Sequence, residues 1–190
     1  MKIASLLVSA ALLASPLAHA NLVQNGDFSQ GWTDWSLTRA AFGTDIYLPG
    51  NNTIGFGAVS PPYMDTISQT LATTAGSSYA LTFSFWNGNY NNNQLNALIN
   101  GHIAESFSNV NAGIGYTPSQ YVFTATSNST VLSFSGYNVP SWTYLSNVAV
   151  NQVSPVPEPE TYALMGMGLL AITLKLRKKK QGQSSAALSV

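Results

Sequence analysis

The sequence predicts an all-β protein, a jelly-roll β-sandwich flanked by two short apolar segments. Three observations carry that expectation. Apolar residues alternate with polar ones at period two in several windows of the body. Turn residues, chiefly Asn, Gly, Ser and Pro, separate those windows at short intervals. No window between residues 21 and 153 holds a helical period.

The first 20 residues have the layout of a signal peptide. Lys2 precedes an apolar run over residues 3–14, and Ala18 and Ala20 frame an A-x-A cleavage site. The mature chain is therefore expected to begin at Asn21, the signal segment being an N-terminal helix. The body, residues 21–153, is long enough for one domain with a sizeable core. Strands are expected over residues 53–58 and 65–73. The stretch 78–86 sets Tyr79, Leu81, Phe83 and Phe85 on one face. Residues 95–99 and 103–107 flank Asn100-Gly101, the strongest hairpin signal in the chain. Residues 121–126 and 130–135 read as a second hairpin around Ser127-Asn128-Ser129. Residues 144–153 form a last strand with Val148 and Val150 on one face. The total is about eight to ten short strands, as sandwiches and jelly rolls contain.

After residue 153 the composition changes. Pro157 and Pro159 favour an extended backbone that exposes Glu158. An apolar stretch over residues 162–174 comes next, roughly 20 Å long as a helix against a hydrocarbon core of roughly 30 Å. Lys175 can snorkel and bring it closer to spanning. The basic cluster Arg177, Lys178, Lys179 and Lys180 then marks the cytoplasmic side. A single short C-terminal transmembrane helix is the expectation, with residues 181–190 as a polar tail.

This order of Pro-Glu-Pro, apolar helix and basic cluster over residues 154–180 resembles the PEP-CTERM sorting signal of Gram-negative bacteria, also called the ice-binding protein C-terminal domain. The resemblance implies recognition by exosortase, a membrane-embedded protease, through Pro157, Glu158 and Pro159. It further implies transient anchoring in the inner membrane, then release to the cell surface or extracellular polymer. Members of that family usually end at the basic cluster, whereas this chain continues to Val190.

Charge and cysteine content bound the function. The chain has no cysteine, which suits export without disulfides. The positive charges lie in the tail apart from Lys2 and Arg39. Within 21–153 five acids (Asp27, Asp34, Asp45, Asp65 and Glu105) face one base, a net charge of −4 with His102 neutral. A nucleic-acid partner needs clustered Lys and Arg and is excluded.

Catalysis has little to work with. His102, the body's one histidine, comes after the Asn100-Gly101 turn, where a solvated turn residue is expected rather than the base of a triad. Asp27 and Asp34 sit in turns beside Gly26 and Gly31. Zinc has no plausible ligand set, and no pair of carboxyls is marked out for sugar hydrolysis. No enzyme activity and no cofactor are expected.

The body resembles the galactose-binding-like jelly roll shared by many carbohydrate-binding modules. The matching pieces are Asn21-Leu22-Val23-Gln24-Asn25-Gly26-Asp27-Phe28 as an opening strand, Gly31-Trp32-Thr33-Asp34-Trp35 as a tryptophan turn, Tyr79-Ala80-Leu81-Thr82-Phe83, and the closing Tyr144–Val150 stretch. The resemblance implies that Trp32 or Trp35 closes the core. Relatives often carry acids where this chain has Ser29 and Asn147, so a structural calcium, if those acids hold one, would lack these two carboxylates here, and backbone carbonyls could only partly substitute.

Sugar binding has compositional support. Neutral sugars are held by aromatic faces, with amides and hydroxyls reading the sugar hydroxyls. The loop after the strand at 78–86 offers Trp86, Asn87, Asn89, Tyr90 and Asn92 in a run of five asparagines. Trp142 and Tyr144 form a second aromatic pair. The bland alternative is that the asparagines supply turn conformations and Trp86 caps the core. Two functions fit this composition: a secreted module that binds exopolysaccharide, or a structural matrix or biofilm protein without a specific ligand. An extracellular hydrolase is a weaker third. Ice binding would want a regular threonine array, and the threonines here are scattered.

Overall fold

The computed structural model describes residues 20–59, 62–88, 92–110, 115–153 and 164–176. The signal segment with Ala18, the sorting residues Pro157, Glu158 and Pro159, and the basic residues Arg177, Lys178, Lys179 and Lys180 lie outside them. The chain divides into two units, Met1–Val153 and Ser154–Val190.

Among its described residues the first unit contains ten strands: β1 (Ser36–Thr38), β2 (Ile46–Tyr47), β3 (Ile54–Phe56), β4 (Asp65–Ala72), β5 (Ser78–Asn87), β6 (Asn93–Ile99), β7 (His102–Ser108), β8 (Thr117–Thr124), β9 (Ser129–Asn138) and β10 (Thr143–Gln152). They form two antiparallel five-stranded sheets, one ordered β1-β4-β9-β6-β7 and the other β2-β3-β10-β5-β8. This is the expected β-sandwich.

Alternation explains which side of each strand faces in. In β5, Tyr79, Leu81, Phe83 and Phe85 are buried while Ala80, Thr82, Ser84 and Trp86 are half-buried on the outer face. Phe83 meets Phe134 of β9 at 5.1 Å between ring centroids and Phe107 of β7 at 6.0 Å, joining the two sheets through the core. Val148 and Val150 are buried in β10.

Asn100-Gly101 forms the hairpin expected of it. Both residues have positive φ, 51° and 80°, and Leu98 pairs with Ile103 and Ile99 with His102. The second expected hairpin does not form. β8 pairs with β5, whereas β9 pairs with β4 and β6 in the other sheet. The turn at 127–129 therefore carries the chain across the sandwich. β8 alternates as expected, and β9 alternates from Ser129 to Leu132 before both its faces become buried, but alternation does not encode a pairing partner.

The opening stretch also departs from expectation. It is a chain of turns rather than a strand. The Leu22 amide donates to the Val150 carbonyl at 2.8 Å, and the Asn21 side chain accepts from the Val150 amide at 2.9 Å. Asn25, at φ 50°, organises the turns over residues 26–34. Its side-chain amide donates to the carbonyls of Gly31 and Thr33, and its Oδ1 accepts from the Gln30 amide. Trp35 is buried with its ring 5.4 Å from Phe28, and its indole N–H donates to the Asn25 carbonyl. Trp32 packs partly buried against the core. Gln69 of β4 ties this turn to the first sheet by bonding both backbone groups of Gln24 and the Asp34 carbonyl.

One buried carboxylate holds the entry to the second sheet. Asp65 is fully buried at the start of β4 and accepts hydrogen bonds from the Ala40 amide, the Thr44 hydroxyl and the Asp45 amide at 2.6–2.9 Å. This fixes the loop that leads into β2.

In the second unit residues 164–176 form a helix, α1, whose apolar side chains are exposed. At 13 residues it is about 20 Å long. No helix among the described residues is long and apolar enough to cross a membrane. The expected helix is present, and a membrane span within it is not shown.

Candidate functional site

The outer face of the second sheet carries a row of aromatic residues set by strand register. Tyr144 of β10 stands opposite Trp86 of β5 on one side and Gly55 of β3 on the other. Gly55 in turn faces Tyr47 of β2. The pairing of Phe85 with Thr117 puts Tyr116, just before β8, level with Trp86. Antiparallel neighbours place side chains about 5 Å apart. Accordingly the Trp86 and Tyr144 rings stack with centroids 5.1 Å apart and planes 20° from parallel. The Tyr47 and Tyr144 hydroxyls are 3.3 Å apart, and Trp142 packs edge-on against Tyr47 at 4.2 Å.

Two glycines make room for this row. A Cβ on Gly55 would lie 2.6 Å from the Tyr47 ring, and one on Gly57 would lie 2.7 Å from the Trp142 ring. The segment Ile54-Gly55-Phe56-Gly57 thus alternates large inward side chains with none outward, and the two rings lie against its bare outer surface.

Above the row is a cleft of about 290 Å³ lined by Tyr47, Pro49, Asn51, Thr53, Trp86, Tyr116 and Tyr144. Among the described residues no charged side chain lines it. Burial, reinforced by the Tyr47 hydroxyl, pushes the Tyr144 phenol up to about 12. Burial also raises Tyr116, partly offset by its hydrogen bond with the Thr53 side chain. The cleft is therefore uncharged at neutral pH and presents ring surface, hydroxyls and one amide.

The raised Tyr144 value has a consequence for stability. An unfolded tyrosine ionises near 10, whereas the folded Tyr144 keeps its proton to about 12. Proton linkage then favours unfolding as pH rises through that window. The expected result is a melting temperature steady at neutral pH that falls from about pH 10 upward. Tyr144→Phe should flatten part of the fall. An unchanged alkaline profile in the variant would show that Tyr144 is not responsible.

Of the residues expected from sequence, Trp86, Trp142 and Tyr144 come together on this face. Asn87 does not join them: it is buried, accepting a hydrogen bond from the Thr143 hydroxyl at 2.6 Å and donating to the Val110 carbonyl at 3.3 Å. Asn92 is exposed at φ 58°, and its amide donates to the Asn109 side chain. Asn89 and Tyr90 lie outside the described residues. Tyr47, Asn51, Thr53, Tyr116 and the two glycines were missed. Only Gly55-x-Gly57 left a readable trace, the removal of outward side chains from one strand.

His102 is exposed at the Asn100-Gly101 turn. Asp27 is exposed and occupied locally by the Ser29 amide and hydroxyl, which hold its carboxyl below its ordinary range. Among the described residues no group of three or more His, Cys, Asp or Glu side chains is placed to hold a metal ion.

Several solved structures share this architecture. A sugar-binding protein of Bacteroides thetaiotaomicron, described as putative, superposes with TM-score 0.55 at 13% identity, covering 70% of this chain and 100% of that one. The carbohydrate-binding module TmCBM61, in complex with β-1,4-galactotriose, gives TM-score 0.52 at 13% identity, covering 70% and 99%. The enzymatically active domain of bacteriophage CBA120 tailspike protein 4 gives 0.52 at 17% identity over 70% of this chain. This chain spans about a fifth of that tailspike structure, 21%. No curated protein matches the chain. The fold is thus that of the carbohydrate-binding-module β-sandwiches. Residues 155–179 match the PEP-CTERM protein-sorting motif, so the chain carries that motif behind the sandwich.

Proposed function

We propose that this chain is an exported surface or matrix protein whose sandwich binds a neutral exopolysaccharide without catalysis. The observation that carries the reading is the row formed by Tyr47, Tyr144, Trp86 and Tyr116 over an uncharged cleft. Aromatic surface with a few hydroxyls and an amide is the chemistry that holds neutral sugars. Solved neighbours of the same fold that are described as sugar-binding support it.

The sorting motif supports the route. Export through the inner membrane, transient anchoring through α1 and its basic flank, and recognition through Pro157-Glu158-Pro159 by an exosortase-type protease that processes the tail are the steps that such a tail serves.

The test is retention of the full-length chain on a polysaccharide panel that includes the producer's own exopolymer. A detergent without a sugar headgroup keeps the solvent from competing. Trp86→Ala is expected to weaken binding by about thirtyfold or more, the effect of removing a central aromatic anchor. The rival reading, a structural matrix protein without a ligand, draws on the stacking of Trp86 against Tyr144, which covers one face of each ring. It predicts no retention on any polymer, with Trp86→Ala costing stability alone.

A further inference from the structure

The aromatic cleft does not end the outer face of the second sheet. A second depression of about 480 Å³ lies along the same strands, lined by Thr82, Ser84, Pro118, Gln120 and Asn147 among others. Register makes the two continuous. Ser84 and Thr82 lie two and four residues back from Trp86 along β5, all three half-buried on the outer face. Ser84 pairs with Pro118, and Thr82 with Gln120 and Ala149. A bulge in β10 between Ser146 and Ala149 brings Asn147 to this surface, exposed at φ 53°. The bulge has a structural reason as well, since Val148 beside it hydrogen bonds the Gly26 carbonyl of the opening turn.

From this we infer that the two depressions form one groove with an aromatic and a polar subsite, taking a segment several units long of an uncharged polysaccharide. The inference rests on the glycan reading of the aromatic cleft. Four residues of strand cover about 13 Å, more than the width of one sugar ring. The polar stretch offers the hydroxyls of Thr82 and Ser84 and the carboxamides of Gln120 and Asn147; Ser119 also lines it, its hydroxyl donating to Glu105, and among the described residues no charged side chain lines it. Those groups suit sugar hydroxyls, which donate and accept in the same ligand. They leave a carboxylate or sulfate without a cationic partner, in a domain that already carries net charge −4 between residues 21 and 153.

The experiment is calorimetric titration of the full-length chain, in the same sugar-free detergent, with neutral gluco-, galacto-, manno- and xylo-oligosaccharides from disaccharide to hexasaccharide, and with a uronate hexasaccharide. For the neutral series that binds, affinity should rise about tenfold or more with length. The double variant Thr82→Val/Gln120→Ala, both changes on the outer face, should return the hexasaccharide to about disaccharide affinity while leaving the disaccharide unchanged. Each lost hydrogen bond then accounts for a several-fold change. The uronate chain should not bind. Equal affinity at every length, or equal weakening of disaccharide and hexasaccharide in the double variant, would overturn the polar subsite and leave the aromatic cleft standing. Tighter binding of the uronate would overturn the uncharged ligand class. If no oligosaccharide binds, both this inference and the glycan reading fail.

Discussion

Gly26→Ala should lower the stability of the sandwich by about 3 kcal/mol or more. A Cβ at this position would lie 1.9 Å from the Val148 carbonyl oxygen and 3.1 Å from a Val23 methyl. The obstructing atom is backbone in a central strand, not the end of a flexible side chain. Val148 is also tied back to the turn, its amide donating to the Gly26 carbonyl at 2.9 Å. Relief requires moving either β10 or the turn that Asn25 and Gln69 hold in place. For a domain of this size the loss corresponds to a drop of roughly 10 °C in melting temperature. Thermal unfolding followed by circular dichroism measures it directly. A variant melting within a degree or two of wild type would show that the turn lifts off β10 at little cost.

Asp65→Ala is the second large effect, expected at about 3 kcal/mol. Its three donors come from one loop, Ala40 to Asp45, and a buried donor left without a partner is costly. The loop can open to water and recover part of that loss, which sets the ceiling. This substitution should also reach the cleft. The loop runs into β2, and β2 carries Tyr47, whose hydroxyl meets Tyr144 and whose ring meets Trp142. Weakened ligand retention should therefore accompany the fall in stability. Asp65→Asn separates the two causes, since it keeps the size of the side chain but turns an amide against three donors. If Asp65→Ala destabilises the fold and leaves retention intact, the loop does not position Tyr47.

These two residues differ in how visible they are in the sequence. Gly26 stands in an Asn-Gly pair, which marks a turn but gives no hint that a strand more than a hundred residues away closes over it. Asp65 opens an alternating stretch and reads as one of five scattered acids. Its burial depends on three donors delivered by a loop two dozen residues earlier.

The face itself divides in the same way. Period-two alternation in residues 78–86 places Tyr79, Leu81, Phe83 and Phe85 inward, and the structure agrees. The same parity, carried one step further, turns Trp86 outward and Asn87 inward. Grouping Asn87 with Trp86 by composition sets that parity aside, and the structure restores it by burying Asn87 against Thr143. Here the signal is present and local.

What the sequence alone determined is what short-range patterns encode. They include the all-β class, the inward face of each long strand, the Asn100-Gly101 hairpin and the composition of the sorting tail. Only the tertiary structure decided which strands lie side by side. Backbone hydrogen bonds join strands without regard to side-chain identity, so alternation cannot distinguish β8 beside β9 from β8 beside β5. That choice puts Trp86 against Tyr144 across 58 residues of chain, brings Tyr47 and Tyr116 to the same level, and draws Ser84, Thr82 and Gln120 into line beyond them. The cleft exists because the whole core selects one pairing, and no segment of the chain carries that information by itself.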